Sequence, residues 1–168
     1  MRHVSDGAPE ETPPAWSVGI VVPARDEEGL IGRCLSALAS AVARLRAERP
    51  HTAVRTVVVL DRCTDDTARV VASFPEVDVL RVEAGRVGMA RSEGVDHLIA
   101  DLGDPRHAWV ASTDADSAVP ETWLVDQLAL ADGGAELVTG FVTTDLSDTP
   151  AELRGLAPTP TSLPDGHP

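Results

Sequence analysis

The chain of 168 residues contains no lysine, so apart from five histidines its basic side chains are all arginines. Any fixed cation it offers a ligand is therefore a planar donor fork, a shape suited to phosphate oxygens. Cysteine is almost as scarce. Cys34, on a predicted helix, and Cys63, in a predicted loop, have no metal-ligand spacing and give no disulfide framework, so both read as reduced thiols. The five histidines are scattered, and His97 and His107 read as surface or rim residues. No run of about 18 apolar residues could span a bilayer. The first fifteen or so residues, rich in Glu, Pro and Asp, do not resemble a signal peptide. Cytoplasmic location is the resulting expectation. Positive charge is lacking too: the formal net charge of -13 excludes a basic face able to displace counterions from nucleic acid or an anionic membrane.

Apolar residues are plentiful. At 43% hydrophobic the chain has material for one domain with a sizeable core. Trp16 to Pro23 reads as a buried strand, followed by a helix from Glu28 to Arg49 with Leu30, Ile31, Cys34, Leu35, Leu38, Val42 and Leu45 at helical spacing. The unit then recurs. Val54 to Asp61 is a β-branched strand, and Thr64-Asp65-Asp66-Thr67 offers capping side chains before a short helix over Ala68 to Ser73. Val77 to Val82 gives a third strand. Gly88 to Leu102 gives a helix expected to turn Met89, Val95, Leu98, Ile99 and Leu102 toward the sheet. Ala108 to Ser112 is the fourth strand. A helix from Pro120 to Ala131, closed by Asp132-Gly133-Gly134, precedes a fifth strand over Glu136 to Thr143.

Such alternation predicts a three-layer α/β fold with a largely parallel sheet, whose ligands lie outside the carboxyl ends of the strands. The expected organisation is a flexible segment over 1–15, a domain over 16–145, and a Pro-rich disordered tail over 146–168. The chemically interesting residues gather at one edge of this scheme. Arg25, Asp26 and Glu27 follow strand one, Asp61 ends strand two, and Asp114 and Asp116 follow strand four. Residues i and i+2 of an extended segment point the same way, so Asp114 and Asp116 could approach one hard cation together. Such acids can also be no more than solvated turn residues. A bare acidic edge repels a phosphate ester: like unit charges about 4 Å apart cost roughly 4 kcal/mol at an effective dielectric of about 20. A cation and selected arginines would have to intervene.

Four segments, read in order, carry a resemblance: Val22-Pro23-Ala24-Arg25-Asp26-Glu27-Glu28, Val59-Leu60-Asp61-Arg62-Cys63-Thr64-Asp65-Asp66-Thr67, Gly88-Met89-Ala90-Arg91-Ser92-Glu93-Gly94 and Thr113-Asp114-Ala115-Asp116. Together they resemble the nucleotide-diphospho-sugar domain of family 2 glycosyltransferases over roughly Val18 to Thr144. The resemblance implies a GT-A fold, a nucleotide-sugar donor, Mg²⁺ or Mn²⁺, and inverting transfer of the sugar to an unknown acceptor. By position, it puts the loop from Pro23 through Arg25 to Glu27, together with Asp61, against the nucleoside. Arg91 falls near the diphosphate. Asp114 matches the first acid of the family's DxD motif, near ribose or metal, and Asp116 the acid that holds the metal with the diphosphate.

Bland roles are available for the same residues. Asp26, Glu27 and Asp65 could serve only as helix-entry acids, and Arg91 could be a solvated helix residue.

The match departs from the family pattern at three places. Leu60 stands where an acid is common, Arg62-Cys63 where Gly-Ser is common, and Ser92 where Asn is common. The general base of the acceptor-binding half is not identifiable, and Asp145, Asp148, Glu152 and Asp165 lack its surrounding motif. The alternative to an enzyme is therefore a noncatalytic nucleotide-sugar-binding module, or a donor half whose acceptor part comes from a partner chain. The Rossmann dehydrogenase and P-loop readings are discounted. The first loop carries no Gly-x-Gly-x-x-Gly, and no GxxxxGK[ST] occurs anywhere.

Overall fold

In the computed structural model, residues 15–143 are described. Eight main elements follow one another as strand and helix: β1 (Ser17–Ala24), α1 (Ile31–Glu48), β2 (Ala53–Asp61), α2 (Thr67–Val71), β3 (Val77–Val82), α3 (Val87–Ile99), β4 (Ala108–Ser112) and α4 (Trp123–Asp132). A short 3₁₀ turn over Pro105–His107 leads into β4. The strands form one sheet in the order β3-β2-β1-β4, and every pairing is parallel. From β1 the chain works outward through β2 to β3 and then returns to the other side of β1. The strand order therefore reverses between β1 and β4. In open α/β sheets the crevice at such a reversal is where ligands bind.

Both faces of the sheet are covered, which explains why β1 reads as a continuous apolar run rather than an alternating one. On one face Val21, Val57, Val59 and Val82 pack with Ala90, Leu98 and Leu102. Burying an aliphatic side chain of this size stabilises by about 1.5–3 kcal/mol. Val18, Ile20 and Val22 alternate to the opposite face and are completely buried. That face belongs to α4 and α1. Trp109 lies beside Val18 in the β1–β4 register and donates its indole N–H to Gln127 of α4 at 2.9 Å, and α4 packs on α1. The buried stripe of α1 is Ile31, Cys34, Leu35, Leu38, Ala41 and Leu45.

Of the residues expected to face the sheet from α3, Leu98 and Leu102 are in its core and Val95 packs against it, but Met89 and Ile99 do neither. Ala90, Gly94 and Leu98 face the sheet, while Met89 and Ile99 are more than half exposed. Small residues win because the helix lies too close for large ones: a Cβ on Gly94 would stand 2.6 Å from Val21 Cγ1 and 2.7 Å from Val59 Cγ2. α1 also starts later than expected. The N–H groups of Leu30 and Ile31 both donate to the Glu27 carbonyl, so Glu28 to Leu30 form the entry turn.

The first compact unit ends at Glu136 and holds all of these elements. Of the second unit, residues 137–143 are described, and they form no strand. The fifth strand expected over Glu136 to Thr143 is thus not formed. β propensity expresses fit to a paired, pleated surface, and the four-stranded sheet does not include this segment. Leu137, Phe141 and Val142 remain over 80% exposed. The segments expected to be flexible (1–15) and disordered (146–168) lie, apart from Ala15, outside the described residues.

Candidate functional site

An open pocket of about 440 Å³ lies at the carboxyl ends of β1, β2 and β4. Pro23, Arg25, Glu27, Asp61, Arg91, Asp114 and Asp116 all line it, so the structure brings these expected site residues to one place, whereas Asp26, also on the first loop, does not line it. Ala24, Val87, Ala90 and Ala115 complete the wall.

The loops from β1 and β2 form the first side. Asp26 has a left-handed backbone, φ 54°, and its carboxylate accepts from the Thr64 N–H at 2.7 Å and the Thr64 hydroxyl at 3.2 Å. The Glu28 N–H donates to Asp65 Oδ2 at 3.0 Å, and the Asp66 N–H donates to Glu28 Oε2 at 2.8 Å, a reciprocal clasp. Thr67, fully buried, accepts from the Glu27 N–H at 2.7 Å and donates to Asp65. Desolvation works to raise the Asp65 carboxyl, but the bonds from Thr67 and the Glu28 N–H outweigh it and hold the group below its ordinary value.

Asp26 and Glu28 are therefore loop fasteners, while Asp65 both fastens the loops and serves a helix entry, since it also accepts from the Thr67 N–H that opens α2 at 3.0 Å. The Thr64 to Thr67 run suggested capping. It did not reveal that the partners lie across a second loop, because nothing in a linear sequence pairs residues 26 and 64. Glu27 is left facing the pocket. Its carboxyl is raised first by burial, then by the negative charges of Asp116, Asp65, Asp114 and Asp26.

Asp61 closes the base of this side. It is 3% exposed, and its Oδ1 accepts from the Gly85 N–H at 2.9 Å. Gly85 has φ 69°, and Arg62 beside Asp61 has φ 55°. The Gly-Ser common at Arg62-Cys63 would meet such a left-handed position without strain. Arg62 is held there by a 2.9 Å bond to the Glu83 carbonyl and by packing over Gly85.

The opposite side comes from β4 and α3. β4 stops at Ser112, and the backbone turns at Ala115 and Asp116, with the Ser117 N–H donating to the Asp114 carbonyl at 3.1 Å. Asp114 and Asp116 thus do not share one pleat of an extended strand; a turn brings both carboxylates to the pocket. The Cys34 thiol lies behind it, 3.5 Å from the Asp114 carbonyl. Close packing of Ala90 and Gly94 sets Arg91 over the end of β4. Its Nη2 donates to Asp114 Oδ1 at 2.6 Å and its Nε to the Ser112 hydroxyl at 2.9 Å, while that hydroxyl is 3.1 Å from the Val21 carbonyl. Arg91 is therefore not a freely solvated helix residue. Ser112 carried no signal in the sequence beyond its place at a strand end.

Among the described residues no three His, Cys, Asp or Glu side chains converge as a ready metal cage. Asp114 and Asp116 are two hard oxygen donors, and Mg²⁺ is commonly held by one or two carboxylates plus substrate phosphates. The pocket is also rich in negative charge: Asp116, Asp65, Asp114 and Asp26 add to burial in raising the Glu27 carboxyl. The donor set fits such a cation bound together with an anionic ligand.

Residues 19–161 match the family described as Glycosyl transferase family 2. The chain belongs to this family. The match continues past residue 145 into the stretch read from sequence as a tail. Among solved structures, the crystal structure of S. aureus TarS 1–349 in complex with UDP is 24% identical with a TM-score of 0.56. The crystal structure of S. aureus TarS 1–349 alone is 21% identical with a TM-score of 0.54. Each comparison covers 70% of this chain and 32% of the TarS chain, so the chain spans about a third of the length of these neighbours. At that similarity they support the GT-A-like α/β fold with its parallel sheet. No curated protein matched the chain. Among the described residues no helix is long and apolar enough to cross a membrane.

Proposed function

We propose that this chain binds a nucleotide-diphospho-sugar and donates its sugar to an acceptor, as a metal-dependent, inverting glycosyltransferase. The observation that carries the reading is the pocket at the β1–β4 reversal, where acids and arginines from four separate segments meet. Family membership and the UDP in the TarS complex support a nucleotide as the ligand.

Within this reading Asp61 and the loop from Pro23 to Glu27 take the nucleoside, their carboxylates accepting from base N–H or ribose hydroxyl groups. Asp61 is well suited: buried, fixed through one oxygen by Gly85, and lining the pocket. Arg91 takes a diphosphate oxygen. Asp114 and Asp116, the pair of the DxD motif, would hold Mg²⁺ or Mn²⁺ with the diphosphate. When bound, such an ion supplies Lewis-acid stabilisation of the charge that grows on the departing nucleoside diphosphate. Arg91 acts in the same sense, since a guanidinium strengthens its hold as phosphate oxygens gain charge, which lowers the barrier as well as aiding binding.

Transfer also needs an acceptor site and a general base, and none of the described residues is assigned to either. A further segment or partner chain supplying them belongs to this proposal, as does a cytoplasmic setting, which suits the two free thiols.

Calorimetric titration of UDP, GDP and ADP, with and without Mn²⁺, tests the reading on the native chain and Asp116→Ala. Mn²⁺-dependent binding of one nucleotide, weakened at least about tenfold by the substitution, is expected, tenfold corresponding to about 1.4 kcal/mol. No nucleotide binding by the folded native chain would end the donor-site reading.

A further inference from the structure

Arg91 does not wait in the pocket with all five of its donors free. One Nη2 N–H donates to Asp114 Oδ1 at 2.6 Å, and its Nε N–H donates to Ser112, which is itself fixed to the Val21 carbonyl of β1. The guanidinium thus neutralises one of the two acids that the donor-site reading gives to a divalent cation.

We infer that Arg91 stands in for the divalent cation at Asp114, so that the cation binds weakly alone and tightly only together with a nucleoside diphosphate. The inference rests on the donor-site reading and specifies how its two ligands are coupled. Three observations carry it.

First, the ion pair is displaceable: the side chains are 36% and 57% exposed, and pairs that open to water contribute little to stability. Second, a cation arriving at Asp114 meets the guanidinium already on that carboxylate, and like charges at such range repel. Third, Arg91 has a second anchor. With Nε on Ser112, the guanidinium can give up Asp114 and keep its place at the pocket wall, where it can serve a phosphate oxygen.

A diphosphate resolves the conflict because its several anionic oxygens accommodate the cation and the guanidinium at once. Each ligand then raises the affinity of the other, and by linkage the two effects are equal. Removing Arg91 should lift the penalty on the cation alone and at the same time weaken the coupling.

The experiment titrates Mn²⁺ without nucleotide, following loss of the free-ion paramagnetic resonance signal. The proteins are the native chain, Arg91→Gln, Asp114→Asn and the double variant, each checked for folding by circular dichroism. Calorimetry of UDP with and without Mn²⁺ on the same proteins gives the coupling. Arg91→Gln should bind Mn²⁺ alone at least about fivefold more tightly than the native chain, the low end of ordinary coupling between sites, and lose a similar factor of Mn²⁺–UDP coupling. In the Asp114→Asn background the same substitution should leave Mn²⁺ affinity unchanged. Ser112→Ala, which removes an anchor without removing charge, should shift Mn²⁺ affinity in the same direction by less, and serves as the second variant if Arg91→Gln fails to fold.

Equal Mn²⁺ affinity for native and Arg91→Gln proteins overturns the inference. So does tightening of the same size in the Asp114→Asn background, which would be a general charge effect. Failure of UDP, GDP and ADP to bind the native chain is read in the calorimeter alone. That outcome sinks the donor-site reading and the nucleotide half of this inference, while the Mn²⁺ titration still decides its cation half.

Discussion

Asp26 accepts two hydrogen bonds from Thr64, at 2.7 Å from the backbone N–H and 3.2 Å from the hydroxyl, and so fastens the loop leaving β1 to the loop leaving β2. Asp26 does this from a left-handed backbone, φ 54°, a conformation that Asn and Asp tolerate better than Ala. Asp26→Ala loses the acceptor and strains the backbone together, and should lower stability by about 2 kcal/mol. Asp26→Asn keeps an acceptor and the conformational tolerance and should cost less than half of that. Asp26→Gly relieves the backbone alone and should fall between them. Urea unfolding orders the three variants; an Ala variant as stable as the Asn variant would show that the fastening contributes nothing.

Gly94 is the point where α3 lies against the sheet. A methyl group there would stand under 3 Å from Val21 and Val59, both of them fully buried valines in the two central strands. Gly94→Ala gains helix propensity of about 1 kcal/mol, but overpacking costs about 1–3 kcal/mol and the neighbours have little room to yield. A net loss of stability is expected, together with a shift of Arg91 that weakens nucleotide binding. Thermal unfolding checks the first and calorimetry the second. A variant more stable than the native chain would mean that the helix moves away freely.

Much of this arrangement was legible in the sequence, for reasons that differ residue by residue. The central strands β1 and β2 announce themselves because a parallel sheet covered on both faces needs uninterrupted apolar runs such as Val57, Val58 and Val59, whereas the edge strands β3 and β4 are shorter and mix in exposed residues such as Asp78 and Val110. The position of Asp61, Asp114 and Asp116 follows directly, since strand ends fall at one edge once the strands are parallel. The sheet-facing stripe of α3 followed only in part, at Val95, Leu98 and Leu102. Hydrophobicity points to Met89 and Ile99, whereas the contact is set by distance, which favours Ala90 and Gly94. Cross-loop partners such as Asp26 with Thr64 and Arg91 with Ser112 are likewise invisible, because a hydrogen bond between segments leaves no periodicity. The stretch from Glu136 to Thr143 has strand composition, but composition cannot supply a neighbour to pair with.

Cys34 is buried against the Asp114 turn. Desolvation, then the negative charges of Asp116 and Asp114, push its thiol up to about 11. At pH 8 only about one molecule in a thousand would carry the reactive thiolate there. Alkylation of the native protein with iodoacetamide at pH 8, read by mass spectrometry, should modify Cys63, which is partly exposed, and spare Cys34 until the chain is unfolded. Rapid native modification of Cys34 would show that the turn over it opens readily.

Glu27 links the pocket's charge to the stability of the fold. Its carboxyl is raised above the ordinary value by burial first and then by Asp116, Asp65, Asp114 and Asp26. In the unfolded chain it returns to that ordinary value, so between the unfolded and folded pKa the native state binds more protons. Stability contributed at this site is therefore present below the unfolded pKa and is lost as pH rises through the folded one. At neutral pH the charged group is a net burden. Glu27→Gln should raise the urea midpoint at pH 7, and this advantage should disappear below about pH 4, where the native residue is protonated in both states. Repeating the comparison in an Asp116→Asn background should shrink the gain, because it removes the largest of the neighbouring charges acting on Glu27. A gain that is independent of pH, or untouched by Asp116→Asn, would assign the effect to packing rather than to the crowding of carboxylates around the pocket.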